Sequence, residues 1–238
     1  MTDLSFGPAI NKEKIVRTFL TQSFLMIIQI FCIDLDEEGE ELDFSEGEEK
    51  QTRLGIVKSF LKRFITIKSM LNSQHEYAVC TLTSQCNLAH EFTTEVDDII
   101  QTIESLNSDT FPQDTLDMSS IIQMVCKMCP EESGRNPKPG CQFMVHLFII
   151  YFRTTRPAFY SHPTDESDHT EWPLLCWDTL FLTKRLCTPE EKESKLKAYH
   201  SIQTSKYEFS TSHGLRKKFD IDELCFALMP HPLARKGE

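Results

Sequence analysis

Residues 143 to 152 read FMVHLFIIYF. A strand with one wet face alternates apolar and polar side chains, and this run does not alternate. Both of its faces must therefore be covered, which places it at the centre of a mostly parallel sheet with helices on each side. The rest of the chain supplies suitable neighbours. Ile30–Ile33, His75–Thr83, Asn87–Phe92, Leu174–Leu182 and Lys206–Ser210 read as strands. Between them, Leu54, Val57, Leu61, Phe64 and Ile65 recur at helical spacing. Thr94 is placed to cap a second helix, with Glu95, Asp97 and Asp98 in its first turn and Leu106 at its end. Asp117–Cys129 forms a third, closed by Pro130. Thr188-Pro-Glu-Glu opens a fourth. Asp220 or Asp222 caps a last one that stops at Pro230. The expected class is α/β: a doubly wound, mostly parallel sheet with one antiparallel edge hairpin near residues 76–92 and helices on both faces.

Charge is concentrated in one place. The chain of 238 residues carries a formal charge of −11, and ten acidic residues with no basic one lie between Asp34 and Glu49. The remainder is close to neutral. A duplex-binding surface needs clustered Lys and Arg, so no nucleic-acid partner is expected. Arg216, Lys217 and Lys218 read as a solvated turn. The nine cysteines are odd in number and sit among apolar residues, which favours a reducing compartment, cytoplasmic or nuclear. The apolar stretch before Asp34 contains Arg17, Thr18, Gln22 and Gln29, and it lacks the small pair of a cleavage site. It is read as neither a membrane span nor a signal.

In open α/β sheets, ligands bind beyond the carboxyl ends of strands. After the first strand the sequence runs Asp34-Leu35-Asp36-Glu37-Glu38. An Asp-x-Ser-x-Ser turn at that place is the cation motif of von Willebrand factor A domains, whose hydroxyls and carboxylates ring a divalent ion. Asp34 matches that motif. Asp36 and Glu38 stand where hydroxyls belong. Thr110 is positioned to match the motif's threonine. The Asp expected after the central strand is replaced by Phe152 or Arg153. An arginine there competes with a metal, so a degenerate site without metal or cofactor is expected. Its plain alternative is an acidic loop in which Asp34 satisfies nearby backbone amides.

Cys126, Cys129, Cys141 and His146 can be written as a zinc set, although the spacing is permissive and His146 falls inside the central strand. The metallopeptidase, nucleophile-elbow, phosphate-loop and dinucleotide patterns are all missing. The chain is expected not to be an enzyme. His231-Pro232-Leu233-Ala234-Arg235 leaves the last helix with prolines on either side of His231, giving an extended segment of the kind that docks into grooves, or a frayed end.

Several segments together resemble one family. They are His75-Glu-Tyr-Ala-Val, Ser108-Asp-Thr-Phe, the strand ending Tyr151-Phe-Arg, Lys206-Tyr-Glu-Phe and Met229-Pro-His-Pro-Leu-Ala-Arg. Their order and spacing are similar to the MERIT subunit family, BRISC and BRCA-one-A complex member one. The resemblance covers roughly residues 72–235 and Ile30–Glu38. It implies a von Willebrand A-like domain acting as a non-catalytic scaffold in deubiquitinase assemblies specific for lysine-63-linked ubiquitin chains. It further implies the BRE adaptor as direct partner, with a deubiquitinase catalytic subunit and an Abraxas-type scaffold reached through the complex. Roles in DNA-damage response and immune signalling follow from it, as do nuclear and cytoplasmic location. By the same resemblance, His231, Pro232, Leu233 and Arg235 would contact the partner. The rival function is a metal-dependent ligand-binding A domain.

The family joins an entry of the type Glu13-Lys14-Ile15 directly to its first strand. Here Val16–Gln29 intervenes. Two readings stand: a retained intron carried into the gene model, or a lineage-specific helix with Val16, Phe19, Leu20, Phe24 and Ile27 on one face. The expected layout is an N-terminal segment 1–29, an A-like domain 30–229 and a docking tail 230–238.

Overall fold

A computed structural model describes residues 26–40, 44–46, 49–109, 115–129, 143–153, 175–182 and 209–213. The central strand is the one the sequence singles out. Strand β1 (Met26–Asp34) runs beside β6 (Phe143–Tyr151), with Ile30 opposite Leu147 and Ile33 opposite Ile150. On its other side β1 pairs in parallel with β4 (Glu76–Leu82). β5 (Cys86–Thr93) returns antiparallel at the edge, and β7 (Leu175–Leu182) and β8 (Phe209–His213) continue beyond β6 in parallel. The order is β5-β4-β1-β6-β7-β8. This is the expected α/β architecture, with its antiparallel hairpin at one edge.

Each sheet face has its own core. Phe31, Ile33, Tyr77, Val79, Phe148 and Ile150 point to one side, where helices α1 (Arg53–Leu71) and α2 (Val96–Ser105) cover them. Phe31 touches Phe64 and Phe148 edge-on and stacks on Tyr77. Ile30, Cys32, Cys80, Leu82, Leu147 and Ile149 point to the other side and meet α3 (Ser119–Met128). Burying one such large side chain stabilises the fold by about 1.5–3 kcal/mol. The unbroken apolar pattern of β6 is thus explained by two covered faces.

Several local expectations shift. β1 starts at Met26, four residues before the expected Ile30, and Ile27 and Gln29 are buried within it. The segment 16–29 therefore contributes its last four residues to the sheet. The acidic stretch is not all loop: it holds a 3-10 turn at Glu37–Glu40 and a short ladder of β2 (Phe44–Glu46) with β3 (Glu49–Gln51). Thr94 does not cap α2. Glu95 is at the N-cap without a side-chain bond, and Thr93 Oγ1 accepts from the Glu95 amide at 3.0 Å, because β5 runs on through Thr93. α1 does have a hydroxyl cap: Thr52 Oγ1 accepts from the Gly55 amide at 3.0 Å. β8 begins at Phe209, three residues after the expected start. Among the described residues no helix is long and apolar enough to cross a membrane. The helices expected after Thr188 and before Pro230, and the tail 230–238, lie outside the described residues.

Candidate functional site

Asp34 is the last residue of β1, at the carboxyl edge of the parallel strands. It is completely buried. Its two oxygens accept from Arg153, at 3.0 and 3.3 Å from Nε and 2.9 Å from a terminal nitrogen. The Phe152 amide donates to Asp34 Oδ2 at 3.1 Å, and the Asp36 amide to Oδ1 at 3.2 Å. The carboxylate is thus held from three sides. Arg153 also donates to the carbonyls of Leu82 and Thr83, so its fork bridges β1 to the end of β4. Such paired, planar donors suit a carboxylate better than a lysine would.

A second arginine completes the arrangement. Arg53, in the first turn of α1, donates to Glu38 Oε2 at 3.5 Å and to the Phe152 carbonyl at 3.4 Å. Asp36 Oδ2 lies 3.8 Å from Arg153 Nε, and its Oδ1 accepts from the Glu38 amide at 3.1 Å. Asp34, Asp36, Glu38, Arg53 and Arg153 are all buried. A cation at a helix start opposes the helix dipole. Here the adjacent Glu38 and the Phe152 carbonyl offset that cost. Gly39 is required by close approach: a Cβ there would sit 2.7 Å from Ser108 Oγ and 3.2 Å from the Phe152 ring.

Burial pushes the Asp34 carboxyl up to about 6, against the lowering influence of Arg153 and of the Phe152 amide. Arg153 is held above its ordinary value by Asp34, although burial acts the other way. The two directions differ: burial is the larger influence on Asp34 and disfavours its charge, whereas at Arg153 the neighbouring carboxylate outweighs burial and favours the cation.

Of the sequence-predicted site residues, Asp34, Asp36 and Glu38 come together as expected. Thr110 lies outside the described residues, although the neighbouring Asp109 amide donates to the Leu35 carbonyl at 2.8 Å. The plain alternative for Asp34, a carboxylate satisfying backbone amides, is met in part. Arg153 lies on Asp34, at 2.9 Å. A metal would have to displace a buried guanidinium that fills the inner side of Asp34. His231, Pro232, Leu233 and Arg235 lie outside the described residues.

The zinc set is overturned. His146 faces the α1 side of the sheet beside Phe148, while Cys126 and Cys129 pack on the α3 side. The sheet itself separates them, because successive residues of a strand point to opposite faces. Cys141 is outside the described residues. His146 Nε2 instead meets Asp178 Oδ2 at 2.8 Å, with Cys176 beside them on β7. Asp178 was not anticipated, but an acid inside Leu175-Cys-Trp-Asp-Thr-Leu carries its own signal: a charge in an apolar strand needs a buried partner. Arg53 was missed too, since nothing in its local pattern distinguishes it from a surface cation.

No protein-family model matches the chain, and no curated protein matches it in sequence. Solved structures do. The SpRpn10 VWA domain shares 12% identity, covering 84% of this chain and 95% of that one at a TM-score of 0.51. A von Willebrand factor type A protein from Catenulispora acidiphila shares 9%, covering 89% of this chain and 44% of that one at 0.53. The conserved hypothetical protein BatB from Bacteroides thetaiotaomicron shares 8%, covering 84% and 96% at 0.52. The chain has a von Willebrand A fold. At such identities the likeness is one of fold.

Proposed function

We propose that this von Willebrand A chain is a non-catalytic scaffold subunit of a deubiquitinase assembly of the BRISC or BRCA-one-A type, specific for lysine-63-linked ubiquitin chains. The observation that carries the reading is Arg153 on Asp34. An A domain whose leading carboxylate is tied to its own arginine has no open cation with which to capture an acidic ligand. What it offers a partner is its surface and its extended segments. The ordered resemblance from His75-Glu-Tyr to Pro232-Leu-Ala-Arg supplies the particular assembly. In this reading BRE is the direct partner, and the tail residues His231, Pro232, Leu233 and Arg235 dock on it. The catalytic subunit and an Abraxas-type scaffold join through the complex, in nucleus and cytoplasm.

Pull-down of BRE by the full chain and by a chain lacking 230–238 tests this. Capture by the full chain and loss on truncation are expected. Undiminished capture by the truncated chain removes the tail from the interface, and no capture by the full chain overturns the assembly. The metal-dependent reading requires Arg153 to leave Asp34, and capture of a ligand that needs magnesium would favour it instead.

A further inference from the structure

The α3 side of the sheet holds a group of sulfur atoms that the scaffold reading does not use. Cys32 on β1, Cys80 on β4 and Cys86 on β5 bring their sulfurs within 4.8 Å of one another. Strand register makes the group. Cys32 is paired directly with Cys80, and Cys86 is paired with Leu82, two residues further along β4 and on the same face as Cys80. Met128, in the last turn of α3, lies beside it: its sulfur is 3.8 Å from Cys80 Sγ. All three cysteines are reduced and buried, with exposures of 0%, 0% and 6%.

We propose that Cys32, Cys80 and Cys86, with the Met128 thioether beside them, form an all-sulfur site for one soft metal ion, monovalent copper or zinc. Two arguments favour this over three small buried hydrophobes. The first is spacing. Metal–sulfur bonds of about 2.3 Å set ligand sulfurs about 3.8–4.0 Å apart, so the trio needs only rotamer adjustments to bind. The second is donor type. Thiolate and thioether select copper(I) and zinc over harder ions, and the group contains no carboxylate or imidazole. On binding, the ion forms its bonds to the sulfurs and the three thiol protons leave to solvent. No oxidant or reductant is consumed. The site is independent of any partner of the scaffold.

The full chain, purified without oxygen and with a non-thiol reductant, is offered zinc or copper(I) against a chromophoric chelator for each. One ion per chain is expected, with an X-ray absorption spectrum showing sulfur neighbours alone. The arm that reaches one equivalent at the lower free-metal concentration identifies the ion. Cys80→Ala should lower affinity at least tenfold, while Cys126→Ala and Cys176→Ala leave it unchanged. Should Cys80→Ala fail to fold, Cys86→Ala at the strand edge makes the same test, read beside its circular dichroism. Failure of folded wild-type chain to hold either metal against the chelator overturns the proposal. So does a site that survives Cys80→Ala or Cys86→Ala, or one lost on Cys126→Ala or Cys176→Ala.

Discussion

Strand β6 leads into two buried polar pairs, and they differ in kind. Near its start, on the α1 face, His146 meets Asp178 across the β6–β7 pairing. Just past its end, Arg153 meets Asp34 across the β6–β1 pairing. Both pairs are dry, with side chains no more than 2% exposed. The imidazole can shed its proton and remain a hydrogen-bonding group, whereas the guanidinium cannot. The first pair is therefore a local polar contact that tolerates change. The second is a fixed cation whose carboxylate must stay. In this chain the carboxyl edge of β1 is therefore closed by a permanent charge of the protein's own.

The largest test of the contrast is removal of Arg153. Arg153→Met leaves Asp34 buried beside Asp36 and should cost about 3–5 kcal/mol in urea unfolding. The double change Asp34→Leu with Arg153→Met should cost clearly less than the two single changes added together. Additive losses would mean that the two residues do not act as a pair.

The next effect is one of pH. The folded-state value of Asp34 is raised, to about 6 from an ordinary 3.8. Between those values the folded chain keeps a proton that the unfolded chain has lost. Its contribution to stability is full below about pH 4 and disappears as pH rises through about 6, a change of about 3 kcal/mol. Unfolding free energies measured across that window should fall more steeply for wild type than for Asp34→Asn. Parallel profiles would remove Asp34 as the source.

The smallest effect belongs to the tolerant pair. Asp178→Leu removes this one hydrogen bond from the imidazole, so it should cost only about 1–3 kcal/mol. A loss as large as that of Arg153→Met would erase the distinction between the two pairs.

The sequence carried the sheet almost whole. The unbroken run of β6, the short β1 core, the edge hairpin and the face of α1 all follow from apolar periodicity, because a face covered by protein leaves no room for polar residues. Asp34, Asp36 and Glu38 were legible as a site because they follow a buried strand at its carboxyl end. The zinc set was not sound, since spacing along a chain does not say which face of a strand a residue occupies relative to a helix behind it. Arg53 gave no signal, because an arginine at a helix start is usually solvated and only Glu38, folded back by the 3-10 turn, makes it a buried partner.

Periodicity and composition thus determined the class of fold, its central strand and the stretch in which Asp34, Asp36 and Glu38 lie. Only the tertiary structure decided what fills that site and which sulfurs meet. Both depend on register between strands far apart in the chain: Arg153 reaches Asp34 across 119 residues, and Cys32 meets Cys80 across the β1–β4 pairing. Local propensity sets the period of each strand, but alignment between strands is fixed by the simultaneous packing of both faces.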